Sequence, residues 1–269
     1  MYVPGLPMYD NKQDVTMMVP KKVVGFIVGP RGESIDNITK ATNVDLQFGK
    51  NSDENINGGT YTPLHMKGYS SQIDQVCVMI DDRMVTASDF DRSVDKFYHM
   101  LKFGRHEASH LIGTAGVKIK TVRALGCNAD TLDRDRDQQT MELSNANLVN
   151  VRKGMKMADY FKRGGVLEKA GWHLARVPIL KDNVAKFVGT KGDSIDRLRK
   201  QFRVDIDIDQ AFYPGEARVV LQSADRQLLY TAVDGIVEHI SQYHGIRTTA
   251  EYHEGLRNKL QLFLQIQNS

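Results

Sequence analysis

The fold is decided by residues 19–35, which read VPKKVVGFIVGPRGESI. An apolar pair stands directly before a Gly-x-x-Gly at residues 29–32, which predicts a helix, a tight turn and a second helix. Two weaker copies follow, LIGTAG at 111–116 and FVGTKG at 187–192. The first glycines of the three loops lie 84 and then 76 residues apart, so a unit of roughly domain size occurs three times.

Each unit predicts the order strand, helix, helix, strand, strand, helix, because alternating apolar residues and helical spacings succeed one another in that order. In the first unit we predict a strand at 15–19, helices on either side of the turn, a strand at 44–48, a loop at 49–60, a strand at 61–66 and a helix at 71–85. In the second we predict a strand at 98–103, helices at 107–112 and 117–125, strands at 128–132 and 140–143, and a helix at 145–161. In the third we predict strands at 172–177, 204–208 and 217–221, helices flanking the turn, and a helix at 225–243.

This pattern resembles the KH domain, a module that binds single-stranded nucleic acid, and the resemblance covers most of the chain. It implies an α+β fold of three tandem type I KH domains, each with the order β-α-α-β-β-α and a three-stranded antiparallel sheet packed on three helices. The second unit also looks like repeats in Bicaudal-C and vigilin. The expected organisation is a flexible lead-in at 1–13, KH domains at 14–85, 95–164 and 172–245, and a C-terminal helical extension at 246–269.

A Gly-x-x-Gly between two helices favours anion binding on physical grounds. Glycine has no Cβ, so the backbone can approach a phosphate closely. The following helix directs its free N–H groups and the positive end of its dipole toward the same place.

By resemblance, each loop holds the RNA backbone while an apolar groove beside it receives the bases. The residues this implies in the first unit are Lys22, Ile27, Val28, Gly29, Pro30, Arg31, Gly32, Ile35 and Leu46, with Ile38 also on the groove. Those in the third are Phe187, Val188, Gly189, Thr190, Lys191, Gly192, Ile195, Arg197 and Ile206, with Leu198 also on the groove.

The second unit departs from this pattern, because its loop residues Thr114 and Ala115 carry no charge. Cations after the loop could compensate, and the loop could equally be structural. Its candidate contacts are Gly113, Thr114, Ala115, Gly116, Lys118, Lys120 and Arg123.

Composition narrows the class of protein. The net charge of +3 is mild for a nucleic-acid binder, and the basic part is residues 86–166, with 14 Lys/Arg against 10 Asp/Glu. Binding therefore has to come from local cations and shaped grooves, with moderate salt dependence. No apolar run is long enough to cross a bilayer and the N-terminus lacks signal-peptide order, so we expect an intracellular protein, nuclear or cytoplasmic. The two cysteines, Cys77 and Cys127, are expected to be reduced core residues.

Residues 106–110 read HEASH and match the zinc-peptidase signature. The longer form of that signature would place its third ligand at residue 116, which is a glycine and cannot coordinate metal. We therefore expect no metal, no cofactor and no catalysis, and keep a metallopeptidase only as a remote alternative.

The main hypothesis is selective binding of single-stranded RNA, extending to single-stranded DNA, in the post-transcriptional control of translation, stability or splicing. The alternative is a KH-fold adaptor that holds other proteins in a ribonucleoprotein complex. Residues 250–266 place an apolar stripe on one helical face, at Tyr252, Leu256, Leu260 and Phe263. That helix either packs back on the third unit or receives a protein partner.

Overall fold

The computed structural model describes residues 10–49, 52–132, 138–211 and 216–242. The chain divides into two compact units, Met1–Arg163 and Gly164–Ser269. Residues 1–9 of the predicted lead-in, residues 133–137 and the predicted extension at 246–269 lie outside the described residues. No helix in the described ranges is long and apolar enough to span a bilayer.

The first repeat follows the predicted order with one addition. Its elements are β1 (Lys12–Pro20), α1 (Lys21–Val28), α2 (Glu33–Thr42), β2 (Asp45–Phe48), β3 (Glu54–Ile56), β4 (Gly59–Tyr69) and α3 (Ser70–Met84). β1 begins at Lys12, so the predicted lead-in is too long by two residues. The predicted loop at 49–60 contains β3, because Asn57 and Gly58, both at positive φ, form the two-residue turn that favours a hairpin.

The second repeat has the same order of elements. They are β5 (Phe97–Gly104), α4 (Arg105–Ile112), α5 (Val117–Ala124), β6 (Asn128–Thr131), β7 (Gln138–Asn145) and α6 (Leu148–Lys162).

These two repeats share one antiparallel sheet of strand order β2-β4-β1-β5-β7-β6, with β3 paired to β4. The junction is a single pairing, Met18 with Tyr98, between the edge strands β1 and β5. On one face of the sheet α3 packs against α6. The first two repeats are thus joined through a shared sheet.

A buried ion pair lies between those helices. The Arg152 Nε donates to the Asp74 Oδ1 at 2.8 Å, and both side chains are buried. The same guanidinium donates to Gln13 Oε1 at 2.7 Å, so it ties α6 to both α3 and β1. Asp81 of α3 also caps α6, accepting from the Leu148 and Val149 N–H groups at 2.7 and 2.8 Å.

A small apolar cluster covers the junction of the two repeats. It contains Met18, Ile56, Tyr61, Tyr98 and the partly buried Met100. The rings of Tyr61 and Tyr98 meet edge to face at 5.0 Å between centroids. Burial raises the pKa of Tyr61 above its ordinary value. The β3–β4 hairpin thus supplies two side chains that seal the joint between the repeats.

The second compact unit contains β8 (His173–Leu180), α7 (Val184–Val188), α8 (Asp193–Phe202), β9 (Asp205–Asp209), β10 (Glu216–Ser223) and α9 (Arg226–Ser241). Its antiparallel sheet has the order β8-β10-β9 and packs its core face on the helices. The fold is α+β, as the sequence predicts.

The linker that precedes the third repeat, residues 164–171, is not a free connection. Gln222 accepts from the Lys169 N–H at 2.7 Å and donates to the Leu167 carbonyl at 3.1 Å. Val220 and Gln222 alternate along β10 with core residues, so they lie on the opposite face of the sheet, yet both are buried. The linker covers that face.

Candidate nucleic-acid interface

The three Gly-x-x-Gly loops have one backbone conformation. Their first glycines have φ of 74°, 72° and 77° at Gly29, Gly113 and Gly189. The residues at the third position are also left-handed, with φ of 52° at Arg31, 52° at Ala115 and 54° at Lys191. The loop with no charge in the second repeat therefore has the same shape as the other two.

The first glycine of each loop is required by space as well as by φ. A Cβ on Gly29 would lie 2.5 Å from the Ser34 Cβ, and one on Gly189 would lie 2.7 Å from the Ser194 Cβ. A Cβ on Gly113 would lie 2.8 Å from the Lys118 Cγ. The loop thus rests directly on the first turn of the following helix, with no room for another side chain.

The second glycine of each loop faces outward. No atom lies within 4 Å of a Cβ built on Gly32, and the nearest atoms for Gly116 and Gly192 are isoleucine methyl carbons at 3.6 and 4.0 Å. The two central side chains of every loop are exposed. A ligand could therefore reach the backbone of all three loops.

The structure divides the predicted groove residues into two groups. Val28, Ile35 and Leu46 of the first repeat, and Val188 of the third, keep part of their surface open. The others are at most 6% exposed and belong to the core, so they have little surface to offer a base: Ile27, Ile38, Phe187, Ile195, Leu198 and Ile206. The first groove keeps more open apolar surface than the third.

Two residues that sequence reasoning missed extend the first groove. Val24 is partly exposed on α1, and Gly25 beside it is exposed. The signal in the sequence is a glycine inside a helix, where it weakens the helix. At the corresponding positions the other repeats also carry small residues, Ser109 and Ala185.

Several predicted phosphate-binding cations have partners within the protein. The Lys22 Nζ lies 2.7 Å from the Asp95 carboxylate. The Arg123 guanidinium donates to the Ala129 carbonyl and joins α5 to β6, as Arg199 does between α8 and β9 at the Ile206 carbonyl. Lys22 and Arg123 thus already have partners within the protein, and their contact with phosphate stays a prediction.

Other predicted cations differ in their surroundings. The Lys118 Nζ lies 5.2 Å from the centroid of the Phe161 ring, and the Arg197 Nε donates to the Asp193 carbonyl at 3.2 Å. Arg31, Lys120 and Lys191 are exposed and have no ion pair in the part of the chain that the structure describes. These three remain available to an anion.

Charge at the helix starts differs between repeats. The first turns of α2 and α8 each carry two carboxylates, Glu33 with Asp36 and Asp193 with Asp196. The first turn of α5 carries no carboxylate and has two lysines. Carboxylates at a helix N-terminus offset its positive potential, so the second loop has the most positive surroundings of the three. The uncharged residues of that loop do not suggest this.

The residues that match the zinc-peptidase motif lie on α4, and one of them caps that helix. The Glu107 Oε2 accepts from the Gly104 N–H at 2.7 Å and so caps the first turn. No group of three His, Cys, Asp or Glu side chains suited to a metal ion occurs in the described ranges. Both cysteines are buried, as predicted, and burial raises the pKa of each thiol to about 12.

Residues 14–82 match the family model of the KH domain, and they form such a domain. The chain is similar in structure to Dim2p from Pyrococcus horikoshii OT3, with 9% identity, 57% of this chain and 93% of that chain covered, and a TM-score of 0.22. It is also similar to a chain of the a/eIF2alpha-aDim2p-rRNA complex from Pyrococcus horikoshii OT3, with 10% identity, coverage of 60% and 89%, and a TM-score of 0.20. A structure described as KH domains has 12% identity, coverage of 88% and 68%, and a TM-score of 0.20. No curated protein matches this chain.

Proposed function

Because residues 14–82 form a KH domain, we propose that this protein binds single-stranded RNA through its Gly-x-x-Gly loops, and that residues 95–164 and 172–245 are two further type I KH domains. The observation that carries the proposal is the shared conformation of the three loops, each seated on a helix start and open outward. The second glycine of each loop has a positive φ, which favours glycine, and because it carries no Cβ it also lets a phosphate approach the backbone from outside.

Binding would combine three sets of groups. The RNA backbone lies against the loop and the N–H groups that begin the next helix, with Arg31, Lys120 and Lys191 as the nearby cations. Bases lie over the open apolar residues, which in the first repeat include Val24, Val28 and Leu46.

In each repeat, the backbone of one edge strand offers hydrogen-bonding groups that can read a base. The second strand of each repeat, β2, β6 or β9, lies at an edge of its sheet. An edge strand has backbone N–H and C=O groups that no neighbouring strand occupies, so these can pair with the hydrogen-bonding edge of a base. Selectivity among bases would arise there.

The biological role we propose is non-enzymatic post-transcriptional control of RNA. Each domain alone binds weakly, and the shared sheet of the first two repeats raises the effective concentration of one site once the other is occupied.

Aspartate pairs in the loops test the proposal. The variants are Pro30→Asp with Arg31→Asp, Thr114→Asp with Ala115→Asp, and Thr190→Asp with Lys191→Asp, made singly and together. Aspartate tolerates the left-handed backbone at the third position, so the loops should keep their shape while repelling phosphate. We expect the combined variant to lose at least about tenfold in affinity for a random-sequence RNA pool, measured by fluorescence anisotropy at two salt concentrations.

The matched control is Arg31→Lys with Lys191→Arg, which keeps both charges and should bind like the parent. If the folded combined variant binds RNA as well as the parent, the loop assignment is wrong.

The carboxylates at the starts of α2 and α8 favour a second candidate for those loops, a protein adaptor in a ribonucleoprotein complex. An adaptor should show little RNA binding and no dependence on salt in the same titration.

A further inference from the structure

A depression of about 460 Å³ lies at the C-terminal end of α8, whereas the Gly-x-x-Gly loop of the same repeat lies at the N-terminal end. The ten residues of α8 place the two roughly 15 Å apart along the helix axis. The depression belongs entirely to the second compact unit. The lining residues that matter are Trp172, Lys200, Arg203, Val204, Asp225 and Leu228.

The depression has an unusual amount of open apolar surface. Trp172 and Leu228 are 39% and 38% exposed, although both are large apolar side chains. The Lys169 Nζ lies 4.2 Å from the centroid of the indole ring and covers one face. The indole also lines the depression, where its open surface can meet a flat ligand.

The carboxylates around the depression are already engaged. Asp205 forms an ion pair with Lys169. Asp225 accepts from the N–H groups of Gln227 and Leu228 and caps α9. In contrast, the side chains of Lys200 and Arg203 have no hydrogen bond or ion pair to any residue that the structure describes. The unbalanced charge at the rim is therefore positive.

Arg203 is held in a backbone conformation that does not suit arginine. It ends α8 with φ 55° and ψ 37°, whereas the residue that ends α2 with φ 55° and ψ 33° is Asn43. Asparagine tolerates this left-handed conformation better than arginine does. A guanidinium kept at a strained position indicates a use beyond the helix cap.

We propose that this depression holds one nucleotide of single-stranded RNA, with its base stacked on the open surface of Trp172 and its phosphate between Lys200 and Arg203. Every base has a π face, so stacking on an indole needs no particular sequence. The cations match the charge of a nucleotide, and the volume lies within the usual range for small-ligand sites, about 300–1,000 Å³. This inference rests on the proposed RNA binding and adds to the third repeat a contact at the opposite end of α8 from its loop.

The single tryptophan of the chain makes the test direct. Base stacking should quench Trp172 fluorescence. The protein is titrated with an unlabelled random RNA pool to follow this tryptophan signal. A parallel titration with the fluorescein-labelled pool measures total binding by anisotropy. We expect quenching to saturate together with anisotropy. The Arg203→Asn variant should keep its melting temperature, since asparagine suits the cap, and should need about five- to tenfold more RNA for half-maximal quenching.

The Thr190→Asp with Lys191→Asp variant serves as the matched control, because it changes the loop and leaves the depression intact. It should weaken anisotropy while uridine monophosphate still quenches Trp172. If RNA raises anisotropy without quenching Trp172, the nucleotide site is wrong and the proposed RNA binding stands. If no RNA or nucleotide changes the anisotropy or the Trp172 fluorescence, both proposals fail. If only an acidic peptide quenches Trp172, the ligand of the depression is a protein and the nucleotide site is wrong.

Discussion

At Gly25 the residue that favours binding differs from the residue that favours stability of the helix. It lies inside α1 and is exposed, and a Cβ built on it would meet no atom within 4 Å. Nothing among the described residues therefore requires glycine there, and a glycine inside a helix costs roughly 0.5–1 kcal/mol relative to alanine. The close approach of a base to α1 would explain it.

We predict that Gly25→Ala raises the free energy of unfolding by about 0.5–1 kcal/mol while weakening RNA binding. The added methyl group improves the helix and occupies space that the ligand would use. Urea unfolding measures the first effect, and RNA anisotropy measures the second. Ala185→Gly, at the corresponding position of the third repeat, is the converse control and should lower stability without harming RNA binding. RNA affinity unchanged by Gly25→Ala would remove Gly25 from the interface.

The sequence predicts an apolar face for each groove but does not order its residues by exposure. Ile27 and Val28 are adjacent apolar residues in the same helix, yet Ile27 is buried and Val28 is partly open. Helical spacing selects a face, and the packing of α1 on the sheet then decides which members of that face remain accessible.

At the level of elements, α3 and α6 are held together by a polar network inside an apolar contact. Arg152 and Asp74 come from different repeats and both side chains are buried. Lys156 shares the same carboxylate at 2.8 Å but is partly exposed. The loss in free energy of unfolding on removing each partner should be larger for the more deeply buried one.

We predict that Asp74→Ala lowers the free energy of unfolding by about 3–5 kcal/mol, because it leaves the Arg152 guanidinium buried without a counter-charge. Lys156→Ala, which removes a partly exposed partner of the same carboxylate, should cost about 1 kcal/mol or less. Urea unfolding of both variants, followed by far-UV circular dichroism, makes the comparison. Equal costs for the two substitutions would mean that burial does not set the strength of this network.

In the whole molecule, the antiparallel pairing of β1 with β5 fixes the first two repeats in opposite directions. Corresponding strands run antiparallel and α3 packs against α6 on one face, so the repeats are related by about half a turn. β2 and β6, which border the two grooves, lie at opposite ends of a path of six strands, about 24 Å apart. A single RNA strand must turn back to enter both grooves with the same polarity.

We predict that an RNA with two binding motifs joined by a short spacer binds no better than one motif, and that a spacer of up to about twenty nucleotides raises affinity about tenfold or more. The longer spacer lets the strand reverse between the grooves. Anisotropy titrations over a series of spacer lengths measure this, with the Thr114→Asp and Ala115→Asp variant as the control that should abolish the gain. A gain that is largest with no spacer would contradict the opposed arrangement.

The sequence by itself determined the three loops and the order of elements around them. Glycine spacing and apolar periodicity are local, so they fix a turn and its flanking helices wherever the segment folds. Tertiary structure alone decided that the first two repeats share a sheet, that the segment at 164–171 covers another, and that Trp172 meets Lys200 and Arg203 around one depression. The pair that locks the first two repeats, Asp74 with Arg152, is 78 residues apart. Contacts at that separation leave no periodic trace in a sequence, because they depend on how finished elements pack rather than on how each one forms.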